Sequence, residues 1–297
     1  GGIRRSVFVQ QQGSYCDFYG GDSWVILSPI EQSIKRKIEA VGVPLKDWNI
    51  QINYGIKTGY NDAFIISSQK RDVILSNCSS EEERSKTDEI IRPILRGRDI
   101  KRYGYNWANL WLINTHNGVK GRIPRIKIED YPAIKAHLDQ FWGKIKDRAD
   151  QGDTPYNLRN CAYLEDFKQP KILFQEIVQE SQFMIDTEGA FFCNDTGRII
   201  IGEGLYHLLG VLNSTLFFYA IKTFYGGGIL GDHGVRMKHT FFEKFPCLPI
   251  SEDISSIAES LTHRFDSQIL VRLEKIIFKT YGLTNDEVNY IYESTNQ

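Results

Sequence analysis

Ile50-Gln51-Ile52-Asn53-Tyr54-Gly55-Ile56-Lys57-Thr58-Gly59-Tyr60-Asn61-Asp62-Ala63-Phe64-Ile65-Ile66 places two short apolar runs on either side of a polar, glycine-punctuated loop. Ile50 and Ile52 alternate with polar residues, as in a half-buried strand. Residues 63–66 form a second run, so the spacing predicts a β-hairpin with an elaborate loop. Lys57, Thr58, Tyr60 and Asn61 supply that loop with a cation, hydroxyls and an amide, chemistry that suits phosphates and base edges. The same residues are ordinary turn formers, and at this point both readings stand.

Working outward, Ser28-Pro29-Ile30-Glu31 has the form of a helix start, with Ser28 as cap, Pro29 at the first helical position and Glu31 reaching back. Ile30, Ile34, Ile38 and Val41 then share one face up to Gly42. The acidic residues 79–89 read as a surface loop or fraying helix. A helix is expected over residues 131–150, entered at Pro132, and another over 205–222. Strands are expected at 171–178, 183–186, 190–193 and 198–201. After Pro246 and Pro249 the tail reads as a helix over about 254–281 and a short one after Thr284, where Glu287 completes a capping box. The fold class expected is α+β: a twisted mixed sheet flanked by helices, followed by a C-terminal helical segment over 251–297.

The chain has 36 basic and 37 acidic residues, a formal net charge of -1, so a polyanionic partner must be sought in the distribution of charge. Between Ile90 and Lys127 nine cations face only Asp99, and Arg96-Gly97-Arg98-Asp99-Ile100-Lys101-Arg102 holds four of them beside Tyr103 and Tyr105. Guanidinium forks suit phosphate oxygens and the guanine edge; pairing with the acidic stretch before them is the alternative. From Glu243 onward nine acidic residues stand against five Lys or Arg, a face better suited to another subunit than to DNA.

Gly226-Gly227-Gly228-Ile229-Leu230-Gly231 has Gly-x-Gly-x-x-Gly spacing, but it follows a helical pattern, the reverse of the dinucleotide-binding context. A loop bringing Asp232, His233, Arg236 and Lys238 near a nucleic acid, or a plain connection, fits better. The five cysteines are odd in number and form no Cys-x-x-Cys pair, which indicates a reduced cytoplasmic compartment. The apolar stretch 205–224 is broken by His207, Asn213, Ser214 and Lys222 and reads as a buried helix, not a membrane span. No metal-ligand spacing or phosphate-cradling motif is present. Asp150, Asp153, Asp166, Lys171 and Glu176 leave a divergent metal-dependent nuclease as a rival reading, and a protein-interaction module as another.

Asn53–Ile66, Ile91-Arg92-Pro93-Ile94-Leu95-Arg96-Gly97-Arg98-Asp99-Ile100, Pro170-Lys171-Ile172, Leu209-Gly210-Val211-Leu212-Asn213-Ser214, Phe245-Pro246-Cys247-Leu248-Pro249-Ile250 and Tyr281-Gly282-Leu283-Thr284 occur in an order that resembles one family. It is the target-recognition region of TaqI-like and type IIG restriction-modification adenine methyltransferases. Type I specificity subunits use a similar domain. The resemblance covers roughly residues 23–292 and implies sequence-specific recognition of double-stranded DNA by residues 23–250. In that family an upstream domain of the same polypeptide binds S-adenosylmethionine and carries an Asn/Asp-Pro-Pro-aromatic motif. This chain has no Pro-Pro pair, so no cofactor or catalytic residue is expected in it. The chain opens at Gly1 in mid-pattern, and residues 1–22 are expected to be a linker or the remnant of that upstream domain. The resemblance implies DNA contacts from Arg96, Arg98, Lys101, Arg102, Lys57, Thr58, Tyr60 and Asn61, with Arg236 and Lys238 as further phosphate contacts.

Overall fold

The computed structural model describes residues 26–226 and 234–296. The chain divides into two compact units, one made of Ile50–Glu176 with Gln182–Leu205, the other of the described residues up to Asn49, Ile177–Ser181 and those from Tyr206 onward. The sequence-expected boundary at residue 250 therefore falls inside the second unit. The α+β class holds, with helices and two four-stranded sheets in the first unit alone.

The first unit carries strands β1 (Ile50–Tyr54), β2 (Ile65–Ser67), β3 (Ile91–Leu95), β4 (Leu110–Ile113), β5 (Lys171–Gln175), β6 (Phe183–Asp186), β7 (Phe192–Cys193) and β8 (Gly197–Gly202). One sheet has the order β6-β5-β8-β1 and is antiparallel throughout, with Ile200 opposite both Ile52 and Ile172. The other has the order β7-β3-β4-β2, and its β7–β3 pair is parallel. Lys171 to Phe174 are all buried, as are Gly197 to Ile201. This is why these strands read as continuous runs and not as alternating ones. Phe64, Ile94, Leu95, Ile113, Leu173 and Ile199 share one core, where Phe167 stacks on Phe192 at 4.8 Å.

The expected hairpin between β1 and β2 does not form, because the two strands lie in different sheets. β1 pairs along its whole length with β8, a longer partner more apolar than the three residues Ile65–Ser67. Asn61–Phe64 coils into one helical turn between them and buries Ala63 and Phe64. The acidic stretch is an ordered helix, Glu81–Ile90, capped by Ser80 with Glu81, Glu82 and Glu83 in the first turn, where the helix dipole favours negative charge. The helix expected over 131–150 is two, Pro132–Asp139 and Trp142–Ile145, separated where Gln140 and Phe141 turn back by i→i−3 bonds to His137 and Leu138.

In the second unit the helix Pro29–Val41 starts with the expected capping box and buries Ile34 and Ile38. The long apolar helix breaks at Asn213-Ser214: Leu205–Leu212 ends there, and the Ser214 hydroxyl caps Thr215–Ala220. The tail helix likewise breaks, into Glu252–His263 and Ser267–Thr280, because the Asp266 carboxylate accepts the N–H groups of Gln268 and Ile269 and starts a new helix. Thr284 and Glu287 cap Asn285–Thr295 as expected. Among the described residues no helix is long and apolar enough to cross a membrane.

Candidate nucleic-acid interface

A single turn, Cys193 to Gly197, joins the two loops singled out in the sequence. On one side Gly55 N–H donates to the Gly197 carbonyl at 3.1 Å and Ile56 N–H to the Cys193 carbonyl at 2.8 Å. Those bonds fix the start of the Lys57 loop. On the other side Asn194 N–H donates to the Leu95 carbonyl at 3.0 Å, and Gly97 N–H donates to Thr196 Oγ1 at 2.9 Å. The turn shapes itself: Asn194 Oδ1 accepts from Thr196 N–H at 3.1 Å and from Thr196 Oγ1 at 2.6 Å, the habit of an asparagine that bonds backbone two residues on. Neither Asn194 nor Thr196 stood out in the sequence, since turn residues such as these acquire meaning only through what they are folded against.

Arg96 and Asp99 close the Arg-Gly-Arg-Asp turn on itself. Nε of Arg96 donates to Oδ2 of Asp99 at 3.0 Å and Nη2 donates to Oδ1 at 2.8 Å, while Arg96 N–H bonds the same carboxylate at 2.8 Å. A Cβ on Gly97 would stand 2.7 Å from the Thr196 carbonyl oxygen, so glycine is required by close approach. Arg98 and Lys101 are exposed, and among the described residues neither side chain has a hydrogen bond or ion pair. Arg102 is half-buried at the tip of the small hairpin in which Ile100–Lys101 pairs with Gly104–Tyr105. Tyr105 lies exposed with its ring edge-on to Phe191 at 4.9 Å.

In the other loop Lys57 is exposed, 3.5 Å from Asp150, which also takes Arg159 at 3.2 Å. Thr58 is buried; its hydroxyl donates to Asn61 Oδ1 at 2.6 Å and accepts Tyr60 N–H at 3.1 Å. Thr58 and Asn61 thus serve the turn as well, and the Tyr60 ring packs 6.2 Å from Phe141. Beneath them sits Arg148, buried and without a carboxylate partner among the described residues, donating to the carbonyls of Thr58, Ile145, Pro155 and Asn157 with its guanidinium over the Phe64 ring. Burial pushes its pKa down to about 10, with Asp150 opposing. Beside Lys57 lies a shallow pocket that His116, Asn114 and Asn160 also line. His116 accepts Gly118 N–H at Nδ1, and burial with Lys168 nearby lowers its pKa, which favours the neutral ring.

Of the remaining basic residues, Arg122 pairs with Glu165 at 3.1 Å and Arg125 with Asp153 at 4.0 Å. Lys120 and Lys127 are exposed. Arg236 and Lys238 belong to the second unit, Arg236 in a two-residue strand opposite Ile177 and Lys238 exposed before the helix His239–Phe242. Asp232 and His233 lie outside the described residues. The carboxylates weighed for a nuclease centre are dispersed among other partners: Glu176 holds Arg198 at 2.8 Å and Asp166 accepts from Asn53 at 2.9 Å. Among the described residues no group of three His, Cys, Asp or Glu could hold a metal ion.

The family model described as the TaqI-like C-terminal specificity domain matches residues 92–247, from β3 through the turn at residue 194 and on into the second unit. This chain belongs to the TaqI-like C-terminal specificity domain family. The ordered motifs of the sequence thus resemble the family that is found. Among solved structures this TaqI-like domain is similar to the type IIL restriction-modification enzyme MmeI in complex with DNA, with a TM-score of 0.57 at 14% identity over 85% of this chain and 36% of that one. It is also similar to the type IIG restriction endonuclease BpuSI, with a TM-score of 0.47 at 14% identity over 85% of this chain and 33% of that one. At 14% identity the likeness to MmeI is one of fold, and the TaqI-like chain spans about a third of the length of either structure. No curated protein matches it.

Proposed function

We propose that this chain is the target-recognition part of a restriction-modification adenine-N6 DNA methyltransferase and binds a specific double-stranded site. The observation that carries the reading is the turn at residues 193–197, which gathers the Lys57 loop and the Arg98–Arg102 element of a TaqI-like specificity domain onto one support. Exposed cations of one sign on neighbouring loops neutralise phosphates and release their counterions, which makes affinity fall as salt rises. Base choice then comes from side chains and DNA deformation around that grip.

Methyl transfer belongs to a catalytic domain elsewhere in the same polypeptide, where S-adenosylmethionine binds. The element before Gly226 is the helical segment Ile221–Tyr225, whereas a glycine-rich nucleotide loop follows a strand, which supports placing the cofactor outside this chain. Its four described cysteines are free thiols, as suits the cytoplasm, where it would meet DNA. Selection from a randomised duplex library tests the proposal. Enrichment of one sequence motif, with no methyl transfer by the purified chain, is the expected result; an unenriched pool at every salt concentration overturns it.

A further inference from the structure

Arg96 and Arg98 lie two positions apart and have opposite surroundings. The Arg96 fork is spent on Asp99 through two side-chain bonds of 3.0 and 2.8 Å, and the Asp99 carboxylate, almost fully buried, would repel any anion that approached the same guanidinium. Arg98, at the centre of the same tight turn, is exposed, and its side chain has no hydrogen bond or ion pair among the described residues. A guanidinium on a flexible stem loses rotamer freedom when it binds, and a rigid base lowers that cost. The base here is unusually well determined: the Arg96–Asp99 clamp closes the turn, Thr196 Oγ1 anchors Gly97 N–H, and Asn194 holds the Thr196 hydroxyl.

We propose that Arg98 is the DNA-contacting side chain of this turn, taking a backbone phosphate, and that Arg96, Asp99 and Thr196 are positioning residues which hold it out. The inference rests on the DNA-binding reading above. A phosphate, not a base edge, is the partner that fits, because Lys101 and Arg102 follow within four residues and make a cationic cluster that attracts the backbone whatever the sequence. The Arg-Gly-Arg-Asp motif thus divides into a device that builds the turn and one side chain that uses it.

The test is binding of the library-selected duplex by the 297-residue chain over a range of salt, beside thermal unfolding of each variant. Arg98→Gln should leave Tm unchanged, weaken binding alike to selected and unrelated duplexes, and reduce the slope of log K against log salt by about 0.9, one phosphate. Arg96→Gln should lower Tm by roughly 5 °C and weaken binding with the slope retained, because the contact survives on a looser turn. Thr196→Val should weaken binding as a single variant and add nothing in the Arg98→Gln background. Full slope and affinity in Arg98→Gln, or additive losses with Thr196→Val, would overturn the assignment. If Arg98→Gln relaxed preference at one base pair with an unchanged slope, a base contact would replace the phosphate. Failure of the wild-type chain to bind any duplex would count against the DNA-binding reading itself, while the two Tm values would still test the division of roles.

Discussion

Gly55 and Asn194 approach so closely that a Cβ on Gly55 would fall on the carbonyl oxygen of Asn194. The contact sits where the Lys57 loop leaves β1, beside the parallel bridge between Ile56 and Asn194. Because the obstacle is backbone, no rotamer change relieves it. Gly55→Ala is therefore expected to cost about 3 kcal/mol, in the range of severe core overpacking, measured by chemical denaturation with an unchanged m-value. The same variant should lose DNA affinity at temperatures where it remains folded, because both loops hang on this turn.

Lys171 and Asp186 form an ion pair at 2.7 Å with Lys171 fully buried; the ammonium also donates to the Phe167 carbonyl at 2.6 Å and the carboxylate accepts Phe191 N–H at 2.8 Å. Burial lowers the Lys171 pKa against the pull of Asp186. Removing one partner leaves the other charged and unmet, so Asp186→Asn or Lys171→Met should each cost about 3–5 kcal/mol. The Lys171→Met, Asp186→Leu double variant should recover most of that loss, and a double-mutant cycle on unfolding free energies checks it.

Arg148 supports the Lys57 loop through the Thr58 carbonyl while serving three other carbonyls. A lysine has too few donors and no planar fork to reach all four. Arg148→Lys is expected to destabilise by about 2 kcal/mol and to raise the amide exchange of residues 57–61, which mass spectrometry would read.

His137 and His207 are both buried, and burial lowers the pKa of each, with hydrogen bonds to the carbonyls of Ala63 and Leu248 opposing the shift. The unfolded chain takes up protons at these rings below about pH 6.5, whereas the folded chain resists. Stability should therefore be complete above that value and decline as pH falls through it toward the folded values. Tm measured between pH 7.5 and 5.5 checks the sign. His207→Gln should start lower, having lost the bond it accepts from Ser251 N–H, and should fall less steeply.

Local signals were legible wherever chemistry is local. The Ser28–Glu31 and Thr284–Glu287 capping boxes appear where they are read, and so do the apolar runs of β5 and β8. Errors fell where a distant partner decides. β1 leaves the hairpin because its mate begins at Gly197, far along the chain, and the long helices break at Ser214 and Asp266 because those side chains cap a new helix instead of riding an old one. At the candidate interface the clustered arginines were visible by composition, but composition could not separate Arg96, spent on Asp99, from Arg98. Asn194 and Thr196 carried no signal at all, since their role exists only once β7 and β8 bring them between two loops.

Hydrogen exchange of the chain with and without its selected duplex tests the central claim most directly. DNA should slow exchange together in three separate segments, residues 55–61, 96–103 and 193–197, and leave the acidic C-terminal helices unaltered. Protection confined to those helices, or absent from all three segments while the duplex is bound, would contradict the account.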